Sequence, residues 1–211
     1  MKHKYAIVAC VLAAAILTAV FFFGGNAAKK EEPKPLKTAQ TQAQTVKDMY
    51  LTVGTEAGLP QPIDPQDVTI GEAAYTCTIS INCATILDNM DRCDSLKLEH
   101  VPADGWILKP VDVTFYEGES VFHVLRRVCK QNEIHFEFMH TPIYNSAYIE
   151  GIGNLYEFDV GELSGWMYQV NGWFPNYGSS HYALKDGDEI RLVYTCDLGE
   201  DVGGKDAAEN K

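Results

Sequence analysis

Hydrophobic and polar residues alternate in several segments of this chain, and that alternation is typical of strands with one buried face. The pattern is clearest near the C-terminus, in residues 166–170 and 190–194. The same alternation predicts earlier strands in residues 75–81, 111–115 and 134–138. These segments predict a small β-sheet whose strands come from the middle and the end of the chain.

Two turn signals lie between the last two strands. Asn171 and Gly172 readily adopt the positive φ angles that a type I′ turn requires, so we expect a hairpin into Trp173 and Phe174. Pro175 cannot donate a hydrogen bond to a strand ladder, and the chain should therefore continue as an irregular loop. A second turn, with the sequence Lys-Asp-Gly-Asp, leads into the last strand.

A helical period occurs in two places. Residues 121–131 carry an apolar stripe that follows Ser120, a favoured N-cap residue, and we expect one core helix there. A shorter pattern in residues 83–91 follows the first strand, and we expect this strand–helix pair to pack on the edge of the sheet. The predicted fold class is α+β, with a small mixed sheet packed on one helix.

The C-terminal part of the chain also contains a longer motif. It reads Gly-Trp-x-Tyr-x-Val-Asn-Gly, then Pro-Asn-Tyr-Gly, then Tyr-x-Leu-x-Asp-Gly-Asp before the closing strand. This combination resembles the transcobalamin and intrinsic-factor C-terminal-like domain family, also called DUF4430, and the resemblance extends from about Val111 to Cys196. It implies a β-grasp-like fold, in which a small mixed sheet wraps around one helix.

The resemblance also implies a class of ligand. In that family the domain forms one jaw that closes on a corrinoid, and a helical barrel forms the other jaw. We expect no such barrel from these residues. No cofactor is certain, and cobalamin is the ligand that the resemblance suggests. A single jaw buries only part of a ligand, so this chain would have to bind weakly, dimerise or use a partner.

Aromatic residues are concentrated around the expected hairpin. Core and turn packing is one explanation. The other is an exposed loop whose rings bind a flat ligand or a protein surface. Trp173 and Phe174 are adjacent, so in an extended segment they face opposite sides, and one should be exposed unless another layer covers it. The candidate ligand-binding residues are Trp166, Tyr168, Asn171, Trp173, Phe174, Asn176 and Tyr177.

The chain is acidic, with a formal net charge of −12 at pH 7. The excess of acidic residues lies beyond residue 50, because the first 50 residues carry more lysines than acids. A surface this acidic is repelled by phosphate groups, so nucleic acid is not an expected partner. The acidity also agrees with the simpler role of keeping an exported domain soluble.

The N-terminus has the features of an export signal. Lys2 and Lys4 precede an apolar run in residues 6–23, which approaches the roughly 20 residues needed to span a bilayer. The run exceeds the roughly 7–15 residues of a signal-peptide core, which favours an uncleaved signal-anchor over a cleaved signal. We therefore expect an extracytoplasmic, membrane-anchored bacterial protein, or a secreted one if cleavage occurs. Lipidation of Cys10 is disfavoured because most of the apolar run follows it.

Changes in composition divide the chain into five predicted regions. Residues 29–67 are rich in Lys, Glu, Pro, Thr and Gln and poor in large apolar residues, which is typical of a disordered stalk. The regions are a signal-anchor in 1–28, the stalk in 29–67, a strand–helix extension in 68–110, the DUF4430-like domain in 111–198 and a disordered tail in 199–211.

Cysteines outside the N-terminal segment bear on the redox state. Exported thiols tend to oxidise, so we expect one or two disulfides with a cysteine left over, and the spacing leaves the pairing open. No Cys-x₂-Cys or Cys/His pair has zinc spacing, and no metal site is expected. The cysteines are Cys77, Cys83, Cys93, Cys129 and Cys196.

The sequence contains no nucleophile elbow, no His-Glu-x-x-His and no phosphate loop. The histidines beyond the signal region are scattered, and no enzyme is expected. The sequence favours a membrane-tethered extracytoplasmic binding module for cobalamin or another small cofactor. The alternative is a cell-surface module that contacts another protein or a wall polymer and takes no small ligand.

Overall fold

The structure of the protein is a computed structural model that describes residues 54–141 and 145–205. These residues form a mixed α+β fold with one α-helix, seven β-strands and four short 3-10 helices. The strands and the α-helix are β1 Ala74–Asn82, β2 Trp106–Tyr116, α1 Val121–Gln131, β3 Phe136–Thr141, β4 Ser146–Ile152, β5 Leu155–Tyr156, β6 Gly165–Val170 and β7 Glu189–Thr195. The 3-10 helices are Ala84–Asn89, Leu98–His100, Ser179–His181 and Glu200–Val202.

The larger sheet has four strands in the order β2-β1-β7-β6. β1 and β7 run parallel, and the other pairs run antiparallel. β1 therefore lies inside the sheet, with Ile79 opposite both Val111 of β2 and Ile190 of β7. The prediction that the strand–helix pair packs at the edge of the sheet is wrong for its strand. Alternation identifies the buried face of a strand, but it does not identify the strand's neighbours.

The other three strands form a second, antiparallel sheet in the order β3-β4-β5. The predicted single sheet is therefore wrong, whereas its mixed character and the single core helix are confirmed. The β3–β4 pairing contains a register shift between Glu137 and Phe138. Such a bulge bends and twists the β3–β4 pair.

Helix α1 has the bounds and the apolar stripe that the sequence predicts. Ser120 is its N-cap, and the Ser120 main-chain N–H donates to His123 Nδ1 at 3.1 Å. A histidine thus takes the position of the Glu or Gln in a capping box. The helix and the larger sheet share one core. Each buried aliphatic side chain contributes roughly 1.5–3 kcal/mol to its stability. The buried aliphatic residues of α1 are Val121, Val124, Leu125 and Val128.

The segment after β1 is the 3-10 helix Ala84–Asn89 and not the predicted α-helix. Ile86 is buried in it, while Leu87 and Met90 are exposed. The Asn82 side chain accepts the N–H of Ala84 at 2.9 Å, which fixes a tight start directly at the end of β1. So short a segment has few i→i−4 hydrogen bonds to stabilise an α-helix, and the tighter form results.

The five cysteines among the described residues are buried free thiols, so the prediction of one or two disulfides is wrong. Cys77 and Cys129 lie in the main core, and the other three lie in a second core cluster, namely Cys83, Cys93 and Cys196. Burial raises the pKa of Cys83 to about 12 and that of Cys196 to about 11. Disulfide exchange requires a thiolate, which these apolar surroundings disfavour.

Two segments at the ends of the described chain pack on the domain. Residues 54–67, which the sequence assigns to the stalk, include Ile63, whose N–H donates to His181 O at 2.9 Å. Residues 199–205 begin the region assigned to the tail, and they include the 3-10 helix Glu200–Val202. The predicted signal-anchor, the first part of the stalk and the last six residues lie outside the described residues. Within the described part, no helix has both the length and the hydropathy to cross a membrane.

Candidate functional site

The turn at the end of β6 is the hairpin that the sequence predicts. Asn171 and Gly172 have φ angles of 53° and 80°, both positive as in a type I′ turn. Val170 and Trp173 exchange two main-chain hydrogen bonds, with N–O distances of 2.9 and 3.0 Å. Pro175 follows and the pairing ends, since proline has no N–H to donate. Residues 173–177, which we call the aromatic loop, thus begin at one end of the larger sheet.

Asn171 ties the hairpin to the turn before β7. Its Nδ2 donates to Asp188 Oδ1 at 2.8 Å, and its Oδ1 accepts the N–H of Glu189 at 2.9 Å. Asp188 is buried, and its second carboxylate oxygen accepts the N–H of Lys185 at 2.8 Å. The Asn171 side chain therefore holds the protein's own turns together, although the residue lies at the surface.

Three rings in and beside the aromatic loop form a row. The ring centroids of Trp173 and Tyr177 are 6.1 Å apart, and those of Tyr177 and Tyr182 are 6.4 Å apart. Tyr182 is buried, so the row runs from the core to the half-buried Trp173. Tyr168 Oη donates to Tyr177 O at 2.8 Å. Burial raises the pKa of Tyr168 and Tyr177, so both hydroxyls stay protonated at neutral pH.

Residues 54–67 cross the aromatic loop, and we call them the N-terminal strap. Tyr177 Oη donates to Pro60 O at 2.7 Å, and Thr55 Oγ1 donates to Asn176 Oδ1 at 3.3 Å. Further along the strap, Asp64 Oδ1 accepts a hydrogen bond from Asn145 Nδ2 at 2.7 Å. The strap is therefore one of the layers that leave Tyr177 only half-exposed.

Phe174 faces another covering segment. A Cβ added to Gly204 would lie 2.9 Å from Phe174 Cδ1 and 2.8 Å from Met167 Cε, so the main chain at Gly204 touches both side chains. Phe174 is consequently half-buried, and Trp173 is half-buried because it packs on the main core beside Tyr177. The sequence predicts that one of the two rings is exposed unless another layer covers it. Because such a layer is present, neither ring is exposed.

The seven candidate residues lie in two places. Trp166 is at the other end of β6 from the hairpin, where its Nε1 donates to Leu155 O at 2.8 Å and its ring meets Tyr194 edge-on at 5.2 Å. The structure brings Tyr168, Trp173 and Tyr177 together through their rings and hydroxyls. Trp166 thus belongs to the packing between the two core clusters and not to the loop.

An open groove lies between the strap and the start of α1. Its cavity volume is about 80 Å³, well below the roughly 300–1,000 Å³ of small-molecule pockets. Ser120 Oγ and His123 Nδ1 lie 2.9 Å apart beside it, but Ser120 is buried, so the pair caps the helix and presents no accessible nucleophile. The lining residues are Ile63, Pro65, Val68, Ile70, Gly118, Ser120, His123 and Ser180.

Sequence reasoning missed a second aromatic group, on the outer face of the β3-β4-β5 sheet. Tyr156 Oη donates to Glu137 Oε2 at 2.6 Å, and Tyr148 Oη donates to Glu157. The stretch from 141 to 161 shows no strong periodicity, so only the structure brings these pairs together. Across the described ranges, no group of three or more His, Cys, Asp or Glu residues could hold a metal ion.

Comparison with protein families identifies the segment that contains the aromatic loop. Residues 118–195 match the family described as "Domain of unknown function (DUF4430)". The match runs from the turn before α1 to the end of β7, and it includes the hairpin and the loop. The predicted resemblance to DUF4430 is therefore confirmed for residues 118–195. β1 and β2 precede the matched range, and no curated protein matches the sequence.

Two solved structures show similarity to this chain. The crystal structure of haptocorrin in complex with Cbi is 15% identical with a TM-score of 0.45, and the match covers 61% of this chain and 26% of haptocorrin. A protein from Ruminococcus gnavus ATCC 29149, solved as a candidate metal binding protein, is 14% identical with a TM-score of 0.35. That match covers 57% of this chain and 96% of the other. This chain spans about a quarter of the haptocorrin chain.

Proposed function

We propose that this chain is a membrane-tethered, extracytoplasmic binding module whose site is the aromatic loop with the adjoining hairpin. The observation that carries the proposal is the row of rings that runs from buried Tyr182 to half-buried Trp173. Such a row is a rigid aromatic surface at the end of a sheet. It suits a flat ligand, which can stack on a ring while nearby polar groups fix its orientation.

The ligand in this proposal is a corrinoid, cobalamin or cobinamide. The motif that contains the hairpin and the loop resembles the transcobalamin family, and the DUF4430 match covers the same residues. One lobe covers one side of such a ligand, so the remaining ligand surface stays in water. We therefore expect affinity in the micromolar range, which a second subunit or a partner domain would increase.

The N-terminal strap limits access to this surface. Tyr177 Oη is bonded to Pro60 O, and Thr55 is bonded to Asn176, so a ligand that reaches these residues must move the strap. The exposed tip of the hairpin, Asn171 and Gly172, lies next to Trp173 and is not subject to this constraint. Binding should therefore begin at the hairpin and Trp173 and extend toward Tyr177 only as the strap moves.

Tryptophan fluorescence tests the proposal on the complete chain in a non-ionic detergent. Trp173→Phe keeps an aromatic ring in the row, and Trp106→Phe is a matched control because Trp106 pairs with Asn82 at the opposite end of the sheet. Titration with cobinamide should quench fluorescence saturably. The saturable component should be lost in Trp173→Phe and kept in Trp106→Phe. A flat titration of the folded protein would overturn the corrinoid proposal.

The tether in this proposal is the apolar run in residues 6–23. Fractionation of cells that express the chain tests it directly. A signal-anchor keeps the protein in the membrane fraction after a carbonate wash, whereas a peripheral or secreted protein is released. Release into the soluble fraction would contradict the tether and leave the loop proposal standing. The proposal includes no catalytic step.

A second function is favoured by the covered state of the loop. The strap and Gly204 occupy part of the space around Tyr177 and Phe174, which leaves a surface suited to a protein or a wall polymer. This cell-surface module would show no fluorescence response to corrinoids and would sediment with isolated cell wall. Binding to cell wall that survives Trp173→Ala, which removes the ring, would separate it from the ligand site.

A further inference from the structure

The outer face of the β3-β4-β5 sheet carries two tyrosines and three other side chains, which together we call the tyrosine face. Met139 lies directly opposite Tyr148, and Gly151 lies opposite both Glu137 and Tyr156. Glu137 and Met139 are two positions apart on β3, so their side chains share one face of the sheet. The tyrosine face consists of Glu137, Met139, Tyr148, Tyr156 and Glu157.

One half of this face already binds a cation. The Lys97 ammonium lies 4.2 Å from the centroid of the Tyr156 ring, within the range of a cation–π interaction. The same ammonium is 3.4 Å from Asp159 Oδ2, and the Tyr156 hydroxyl is bonded to Glu137. The ring packs over Gly151, where an added Cβ would lie 2.8 Å from it. The Tyr156 ring, the Asp159 carboxylate and the Asn154 carbonyl together thus hold an ammonium group.

The other half repeats the pairing of a tyrosine hydroxyl with a carboxylate, and it is open. Tyr148 is 43% exposed, and its hydroxyl donates to the Glu157 carboxylate as that of Tyr156 does to Glu137. Met139 beside it is 52% exposed, which leaves an apolar surface next to the ring. Among the residues that the structure describes, a cation lies over Tyr156 and none lies over Tyr148.

We propose that the tyrosine face binds a lysine or arginine side chain of a partner polypeptide, with the cation over the Tyr148 ring beside Glu157. The aliphatic stem of such a side chain would pack against Met139, because long basic side chains cover apolar surface while their charge stays at a polar group. Charge complementarity favours this partner, since the chain carries a net charge of −12. This site is separate from the aromatic loop and does not depend on the proposed function.

A pentalysine peptide with blocked ends tests the proposal on the full chain in a non-ionic detergent. Tyr148→Leu removes the ring, and Tyr116→Leu is the matched control because Tyr116 is 44% exposed on the other sheet. We expect Tyr148→Leu to weaken peptide binding about two- to fivefold and Tyr116→Leu to leave it unchanged. Tyr148→Phe keeps the ring and should bind nearly as well as the unchanged chain. Equal binding by Tyr148→Leu and Tyr116→Leu would overturn the proposal, because the peptide would then respond only to net charge.

A charge-matched pair keeps the test valid if Tyr148→Leu fails to fold. Glu157→Gln and Glu162→Gln each remove one negative charge, and Glu162 is exposed and outside the tyrosine face. The proposal predicts weaker peptide binding for Glu157→Gln than for Glu162→Gln at the same salt concentration. Identical losses in the two variants would contradict a local site, since long-range attraction to an acidic protein does not distinguish the two glutamates.

Discussion

The aromatic loop and the tyrosine face are both rich in aromatic residues, but their hydroxyl groups have different partners. Tyr168, beside the loop, donates to the main-chain carbonyl of Tyr177, and Tyr177, in the loop, donates to that of Pro60. On the face, Tyr148 and Tyr156 donate to side-chain carboxylates at the surface. The loop rings are covered by other segments, whereas the Tyr148 ring is open to solvent.

This difference shows how aromatic density divides between structure and recognition. A hydroxyl that donates to a main-chain carbonyl fixes the path of the chain, and its loss costs stability. A hydroxyl that donates to an exposed carboxylate leaves the fold nearly unaffected but places negative charge beside a ring. The loop therefore combines a framework role with its proposed ligand site, and the tyrosine face has little framework role.

The largest difference should appear when an aromatic or apolar side chain is truncated in each region. Trp173→Ala removes the outer ring of the row and should lower the free energy of unfolding by about 3 kcal/mol. Met139→Ala removes an exposed side chain and should change it by under about 0.5 kcal/mol. Urea denaturation followed by circular dichroism measures both. Similar losses in the two variants would contradict the contrast between the regions.

A smaller effect is expected at the hairpin. Asn171→Ala loses two side-chain hydrogen bonds. It also places at a positive φ an alanine, whose side chain cannot form a local hydrogen bond there. Together these changes should lower the free energy of unfolding by about 2 kcal/mol. Asn171→Gly loses the same bonds but adopts that φ freely, and should cost about 1 kcal/mol. Thermal unfolding of both variants separates the two contributions. Greater stability for Asn171→Ala than for Asn171→Gly would show that the φ angle is not the constraint.

Hydroxyl removal gives the next smaller effect. Tyr177→Phe loses the bond to Pro60 O and should cost about 1 kcal/mol, with faster proteolysis within the strap. Tyr148→Phe loses a bond to a solvated carboxylate and should leave the free energy of unfolding nearly unchanged. Limited proteolysis with mass spectrometry locates the cuts. Strap cleavage at the same rate in both variants would mean that Tyr177 does not hold the strap.

The smallest effect on stability is expected from the titration of His123, which lies beside the groove next to the strap. Burial lowers the pKa of His123 below its usual value, with Glu119 opposing and Arg126 and Arg127 reinforcing the shift. As the pH falls, His123 is therefore protonated in the unfolded chain before it is protonated in the folded one. The stability contributed by the cap with Ser120 is complete above pH about 6.5, and it is lost as the pH falls through the pKa of the folded state. We expect a loss of roughly 0.5 kcal/mol, because His123 is partly in solvent.

His123→Gln is the control for this titration. Glutamine accepts the same N–H and does not titrate. Stability measured between pH 7 and pH 5.5 should therefore fall less in His123→Gln than in the unchanged chain. Parallel curves would show that the His123 cap does not contribute to the pH dependence.

Features that depend on neighbouring residues could be predicted from the sequence. The bounds of α1 follow from a 3.6-residue period and a Ser120 cap, and the hairpin follows from Asn171 and Gly172. Each signal lies within a few positions of the structure it determines. The strand content was accessible for the same reason, since alternation is a local property.

Features that depend on distant pairing could not be predicted. Alternation in β1 does not reveal that β7 is its parallel neighbour, and alternation in β3 does not reveal that it pairs with β4 in a separate sheet. The N-terminal strap, which covers part of the loop, contacts it through Pro60, a residue far from the loop in sequence. Lys97, which lies over the Tyr156 ring, is also far from it along the chain, so the tyrosine face has no sequence signature.

Hydrogen exchange with and without cobinamide tests the central proposal, that the aromatic loop is the ligand site, most directly. The informative amides are Val170 and Trp173 in the hairpin and Ile63 in the strap, with Tyr148 of β4 as the reference. We predict that cobinamide changes protection at Val170, Trp173 and Ile63 and leaves Tyr148 unchanged. Unchanged protection at the hairpin and the strap under saturating cobinamide would contradict a ligand site at the aromatic loop.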